Sequence, residues 1–242
     1  MKAMIFAAGL GKRLRPLTDN IPKALVPLKQ KPLLQHSIDF LKGAGVEEII
    51  VNVHHFAGKV ERFIRDSDFG INIEVSDERD RLLDTGGGLK KASWFFDGDE
   101  PFVVLNTDIL TNLDLRAMLD YHKSQQALVT LAVRNEYRDR HLLLDKKMQL
   151  VGKGADSKNS TELVRSEEEV AKYRFSGIHI LSPGVFDFLP EDDRFPVLKW
   201  YRELTKNHPV KGFDHSSDFW MDLGKPENLV AAEAIYDKVF SE

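Results

Sequence analysis

The chain has 242 residues, 42% of them apolar and 30% charged, enough to bury a core as one large α/β domain or two small ones. Its 34 Lys and Arg against 38 Asp and Glu leave a formal charge of −4, which argues against a dedicated nucleic-acid binder but leaves room for a small anionic substrate met by a local cluster of cations. The absence of cysteine excludes disulfides, Cys-ligated zinc and Cys nucleophiles. No window approaches the ~20 apolar residues of a membrane span, and the apolar start Met1–Ala8 runs straight into a glycine loop with Lys12-Arg13. A cytoplasmic protein without membrane partners, monomeric or a small homo-oligomer, is expected.

In chain order, Ala3–Ala8 reads as a buried strand, followed by a Gly-rich loop. Leu33–Ala44 has helical spacing, Glu48–Val53 is a second strand, Ala57–Arg65 a second helix and Ile71–Val75 an alternating strand. Leu83–Gly88 reads as a three-glycine turn, Gly88–Phe96 as a helix, Phe102–Asn106 as a buried strand, Leu115–His122 as a helix and Leu128–Val133 as a strand. Leu142–Val151 forms a hairpin around Lys146-Lys147, and the polar stretch 152–169 is expected to be an exposed, mobile loop. Tyr173–Leu181 is a strand, Val185–Phe188 and Pro196–Thr205 are helical pieces, Phe219–Leu223 is a short strand, and Lys225–Phe240 is a closing helix. Trp94-Phe95-Phe96 and Leu198–Tyr201 read as core stripes, and His54-His55 lacks a third ligand for zinc. Strands regularly separated by helices predict an α/β fold, a Rossmann-like, mainly parallel sheet with helices on both faces. One domain over 1–242 is expected, with 1–134 mainly for nucleotide and 135–242 mainly for sugar and the closing helix.

The most informative segment runs from Ala8 to Lys23. Gly9 and Gly11 follow the first strand directly, where backbone amides can approach a bulky anion at the carboxyl end of the sheet. Lys12, Arg13, Arg15 and Lys23 put four cations within fifteen residues of Gly9, about what a triphosphate requires. The dinucleotide fingerprint fails at Leu14, and the Walker pattern fails because Arg13 follows Gly11-Lys12. Pro16 opposes a helix running on from the loop, so the loop is expected to wrap a phosphate chain. Asp108, just past a buried strand, and Asp222, in Trp220-Met221-Asp222-Leu223-Gly224, are carboxylates at strand ends suited to holding Mg²⁺.

The run Gly9-x-Gly11-x-Arg13-x-x-Pro16-Leu17-Thr18, with Pro22-Lys23, resembles the signature of the sugar-phosphate nucleotidyltransferases. That resemblance covers nearly the whole chain and implies a nucleotide-diphospho-sugar transferase fold. It implies that the Ala8-Gly9 backbone meets the base, that Gly11 and Arg13 meet the triphosphate, and that Lys23 meets the reacting phosphates; Lys12, among the loop's cations, is a further nucleotide-binding candidate. Asp108 and Asp222 match the family's metal-holding aspartates, although Thr107 stands where a glycine is usual. The stretch Thr85-Gly86-Gly87-Gly88 is similar to that of the short N-acetylmuramate-1-phosphate uridylyltransferases, which implies UTP and an N-acetylated muramic sugar, with Gly87 among the nucleotide contacts. Asn106, Ser176 and Gly177 are candidates for the sugar side. The Glu-Lys-Pro segment of many relatives, whose lysine meets the sugar phosphate, is absent, and Lys153 is a poor match for it. A sugar 1-phosphate, with a second pKa of about 6, is mostly dianionic near neutral pH and needs no general base. Mannose-1-phosphate guanylyl transfer and a non-catalytic nucleotide sensor are the rival readings.

Overall fold

The structure is a computed structural model, and it describes residues 1–136, 138–165 and 169–240. The elements, in order, are β1 (Lys2–Phe6), β2 (Pro27–Leu28), β3 (Lys31–Pro32), α1 (Leu33–Gly43), β4 (Glu48–Val53), α2 (Ala57–Asp66), β5 (Asn72–Asp77) and α3 (Asp84–Lys91). They continue with β6 (Phe102–Asn106), β7 (Ile109–Thr111), α4 (Leu115–Ser124), β8 (Val129–Arg134), β9 (Arg140–Leu144), β10 (Leu150–Ala155) and β11 (Ser160–Leu163). The last are β12 (Ala171–Leu181), α5 (Val197–Leu204), β13 (Val210–Asp214), β14 (Trp220–Asp222) and α6 (Pro226–Phe240).

The main sheet runs β11-β10-β9-β12-β6-β1-β4-β5, with β8 and β13 branching from β12. Its β5-β4-β1-β6 half is parallel, and β12 pairs antiparallel with β6, β8 and β9. Alternation along β1 builds a core on each face, as a sheet buried on both sides requires. Ala3 and Ile5 pack with Ile38, Leu41 and Met118 from α1 and α4. Met4 and Phe6 pack with Leu89, Trp200 and Tyr201 from α3 and α5. A third cluster, Leu14, Val26, Leu33, Leu110, Leu223 and Leu229, joins the back of the glycine loop to β7, the chain just past β14, and α6.

Several expectations change. The stretch 152–169 is no loop over its described residues: β10 continues to Ala155 and pairs with β9 and β11. Its polarity reads as a loop signal, yet its glycines serve close approach between strands, since a Cβ on Gly152 would overlap the Glu162 carbonyl and one on Gly154 the His141 ring. Residues 166–168 of that stretch lie outside the described residues. The three-glycine turn lies inside α3, and the helix stops at Lys91 before a 3-10 turn at Ser93–Phe95. A side chain on Gly86 would overlap the Phe195 ring, and one on Gly87 the Asp193 carbonyl, so the glycines let this helix lie against the 193–195 segment. Phe95 and Phe96 are buried, whereas Trp94 is 61% exposed. β7 and β13 escape the periodicity argument because each is short and partnered by distant chain. No helix among the described residues is long and apolar enough to cross a membrane.

Two predictions follow from this packing. G87A, with its Cβ driven into backbone, is expected to destabilise the fold by about 1–3 kcal/mol. G58A, facing open space within α2, should gain about 0.5–1 kcal/mol, and denaturant unfolding of the two variants checks the contrast. Burial pushes His122 down to about 4 and His179 to about 3. The unfolded chain protonates both near 6.5, so the stability they carry is complete above that pH and drains away as pH falls. The loss should reach about 2 kcal/mol per histidine by pH 5. A flat unfolding midpoint down to pH 5 would refute this, and His122→Gln, which keeps polar contact with Thr130 and Ser182, should make the slope shallower.

Candidate active site

Parallel neighbours end on the same edge of a sheet, and register makes that edge specific. Phe6 of β1 stands beside Asn52 of β4 and Asn106 of β6, so the segments following these strands open together. Above them lies a cleft of about 470 Å³, lined among others by Ala8, Gly9, Arg13, Lys23, Asp108 and Asp222.

The two aspartates, 114 positions apart, meet because β7 and β14 form a small antiparallel ribbon that sets Asp222 opposite Ile109. The Leu223 amide donates to the Asp108 carbonyl at 2.8 Å, closing the ribbon beside both carboxylates. Lys23 Nζ forms an ion pair with Asp108 Oδ2, and Arg13 Nη2 lies 3.8 Å from Asp222 Oδ2. Burial raises the Asp222 carboxyl, but the Gly224 amide (2.8 Å to Oδ1), Arg13 and Lys23 outweigh it and hold Asp222 below the ordinary range. Gly224 keeps this corner open: a Cβ there would stand 2.5 Å from Arg13 Nη2, 2.8 Å from Asp222 Oδ1 and 3.0 Å from Asp108 Oδ2. No cluster of three or more His, Cys, Asp or Glu fit to hold a metal occurs among the described residues. A pair of hard carboxylates with open space beside it fits Mg²⁺, which takes few protein ligands, better than a cation needing a full protein cage.

The glycine loop is a fixed structure. Gly11 takes φ +63°, and a Cβ there would press on Thr18 and Lys23. The Thr18 hydroxyl donates to the Gly11 carbonyl at 2.8 Å, and Leu14 anchors the loop in the third core cluster. Gly9 meets nothing within 4 Å of its missing side chain, so packing alone does not demand glycine there. Arg13 and Lys23 line the cleft; Lys12 is exposed away from it, and Arg15 pairs with Asp19 at 3.4 Å. Beneath the loop, Asn52 Oδ1 accepts from the Ala7 and Ala8 amides at 2.8 and 3.4 Å, and its Nδ2 donates to Glu78 Oε1 at 2.6 Å. Asn52 carried no motif, and only its place at a strand end marks it.

Across the cleft, β12 bulges against β8 between Phe175 and His179, with Gly177 at φ +80° against Asn106 and Ile109. Asn106, Ser176 and Gly177 all line the cleft. The Ser176 hydroxyl, however, bonds behind the strand to His215 Nε2 at 2.7 Å, and its carbonyl accepts from Trp220 Nε1 at 2.9 Å. The wall also contains Thr85, the first residue of the three-glycine stretch, and Arg174 and Arg194, which no motif singles out. Gly87 sits inside α3 and does not line the cleft. Thr107 is buried with an unpartnered hydroxyl and also stays off the cleft, so its side chain does not narrow it. Lys153 pairs with Glu162 at 3.1 Å on the β10–β11 hairpin and does not line the cleft either.

Residues 2–141 match the nucleotidyl transferase family. The N-acetylmuramate alpha-1-phosphate uridylyltransferase of Caulobacter vibrioides is 35% identical, covering 96% of this chain and 95% of its own. A UTP–glucose-1-phosphate uridylyltransferase of Synechocystis sp. is 31% identical over 93% of this chain, which spans only 60% of that longer protein. Among solved structures, a UDP-glucose pyrophosphorylase from Acinetobacter baumannii superposes with a TM-score of 0.81, covering 100% of this chain and 94% of its own at 16% identity, which speaks to the fold. The chain belongs to the nucleotidyl transferase family, among relatives that are sugar-1-phosphate nucleotidyltransferases.

Proposed function

We propose that this protein joins a sugar 1-phosphate to a nucleoside triphosphate, giving a nucleoside-diphosphate sugar and pyrophosphate, with UTP and N-acetylmuramate 1-phosphate or a related sugar as the substrates. The observation that carries this reading is the pairing of Asp108 and Asp222 opposite Lys23 and Arg13 at the mouth of one cleft. The uridylyl choice draws on the full-length likeness to the Caulobacter protein. We further propose that it acts in the cytoplasm, on sugars destined for the cell wall.

In this reading the segment up to Arg134 binds mainly nucleotide and the remainder mainly sugar. Ala8 and Gly9 receive the base side, where the vacant space around Gly9 allows the closest approach. Asp108 and Asp222 hold Mg²⁺, which when bound supplies positive charge to the triphosphate. Lys23 and Arg13, now tied to the carboxylates, turn to phosphate oxygens, and their charge offsets what builds on the departing pyrophosphate. Arg13 and Lys23 sit on a loop braced at Gly11 and Leu14, so little ordering remains to be done on binding. The acceptor is already dianionic and no side chain need take its proton.

Asp108→Asn and Lys23→Ala should fold normally yet release pyrophosphate about 10²–10³-fold more slowly, as loss of one preorganised charge does. Near-wild-type turnover in either variant would remove the role given to that residue. A matrix of four nucleoside triphosphates against sugar 1-phosphates, read by pyrophosphate release, should peak at UTP with N-acetylmuramate 1-phosphate. A peak at GTP with mannose 1-phosphate would move the assignment to guanylyl transfer. Triphosphate binding with no release anywhere in the matrix would favour a nucleotide sensor.

A further inference from the structure

The charges around the cleft divide unevenly. At the carboxylate corner, Arg13 and Lys23 face Asp108 and Asp222, two formal positive charges against two negative. Beside it, along β12 and the end of β8, the Glu136 carboxylate is shared by two arginines, Arg134 through Nε at 2.6 Å and Arg174 through Nη1 at 3.3 Å. Arg134 is buried and spends its other nitrogens on the carbonyls of His215, Ser216 and Asp218. These three groups together carry one formal positive charge, and Arg174 is the member that lines the cleft. Burial pulls Glu136 upward, but the two guanidinium groups outweigh it and hold it below the ordinary carboxylate range.

Arg174 is also held in place. Its guanidinium carbon lies 4.0 Å from the centre of the Trp220 ring, and Trp220 is fixed in turn by its bond to the Ser176 carbonyl. Stacking and the Glu136 contact set the plane of the group, while of its five N–H donors only one is engaged among the described residues. Trp220 lies two residues before Asp222, so this guanidinium borders the carboxylate corner. An ordered, half-spent arginine facing a cleft is suited to paired N–H bonds with a phosphate or carboxylate.

We propose that Arg174 is the acceptor-side anion-binding residue, taking a charged oxygen group of the sugar 1-phosphate: its phosphate, or a carboxylate borne by the sugar. This inference rests on the nucleotidyl-transfer reading above. An attacking dianion must come close to an anionic triphosphate, and the charge that offsets this repulsion has to be on the acceptor's side. Arg13 and Lys23 are committed to the two carboxylates, and Arg194, at the cleft rim, is exposed and unstacked.

The test measures KM for each substrate in the wild type, R174M and R174K. Methionine keeps an unbranched stem against Trp220 and loses the charge, whereas lysine restores the charge without the planar fork. R174M should raise KM for sugar 1-phosphate about 10- to 100-fold, the loss expected for a charge-assisted hydrogen bond, with KM for the triphosphate unchanged. R174K should recover part of the loss, and the unfolding midpoint should hold. Equal rises for N-acetylmuramate 1-phosphate and N-acetylglucosamine 1-phosphate identify the phosphate as the partner; a rise for the acid-bearing sugar alone identifies its carboxylate. Unchanged KM for both sugars in R174M, with an active wild type, overturns this inference and leaves the nucleotidyl-transfer reading standing. So does a rise in both substrates' KM together with a lowered midpoint. A wild type that releases no pyrophosphate with any substrate pair overturns both.

Discussion

The chemistry attributed to this molecule depends on a three-residue strand pairing. β7 and β14 share few backbone bonds, yet their antiparallel contact turns a separation of 114 positions into adjacency for Asp108 and Asp222. Two carboxylates so close repel each other, and the ribbon tolerates the pair because Lys23 and Arg13 reach in from the glycine loop. The third core cluster makes this tolerable, since Leu14, Leu110 and Leu223 clamp the loop to β7 and to the chain just past β14. Apolar burial on one side thus sustains charge crowding on the other.

The same economy governs the floor of the cleft. Asn52 is nearly fully buried and engages both ends of its carboxamide, with two loop amides on one side and Glu78 on the other. Burial raises the Glu78 carboxyl even though the Leu83 amide and Asn52 stabilise its charged form. Through this chain of bonds the first glycine loop and the entry to α3 become one unit, and Gly88 provides the clearance that lets Glu78 and Asn52 meet under the helix.

How much of this is legible in sequence depends on the range of the interaction. The strands β1, β4 and β6 can be read because each is a continuous apolar run buried on both faces, and the basic glycine loop can be read because its glycines and cations are contiguous. Asp222 can be marked as a candidate from its neighbours Trp220 and Gly224, but its encounter with Asp108 depends on a pairing that no local pattern encodes. Glycine misleads at Gly86 and Gly87, and polarity misleads around Gly152 and Gly154: all four glycines mark close approach between packed segments, which composition alone cannot distinguish from a turn or a loop. Asn52 and Arg174 stay hidden because their roles come from what stands beside them in space.

The irregularity in β12 has a geometric consequence of its own. A regular strand offers every second side chain to a given surface. Here three residues, Ser176, Gly177 and Ile178, occupy the span that faces the single residue Ala132 on β8, and the pleat loses its phase. Arg174, Phe175, Ser176 and Gly177, four in succession, all reach the same hollow. The strand therefore presents a denser set of groups than its length would permit, and a deletion that restored the ordinary two-residue rhythm would turn about half of that set toward the opposite face.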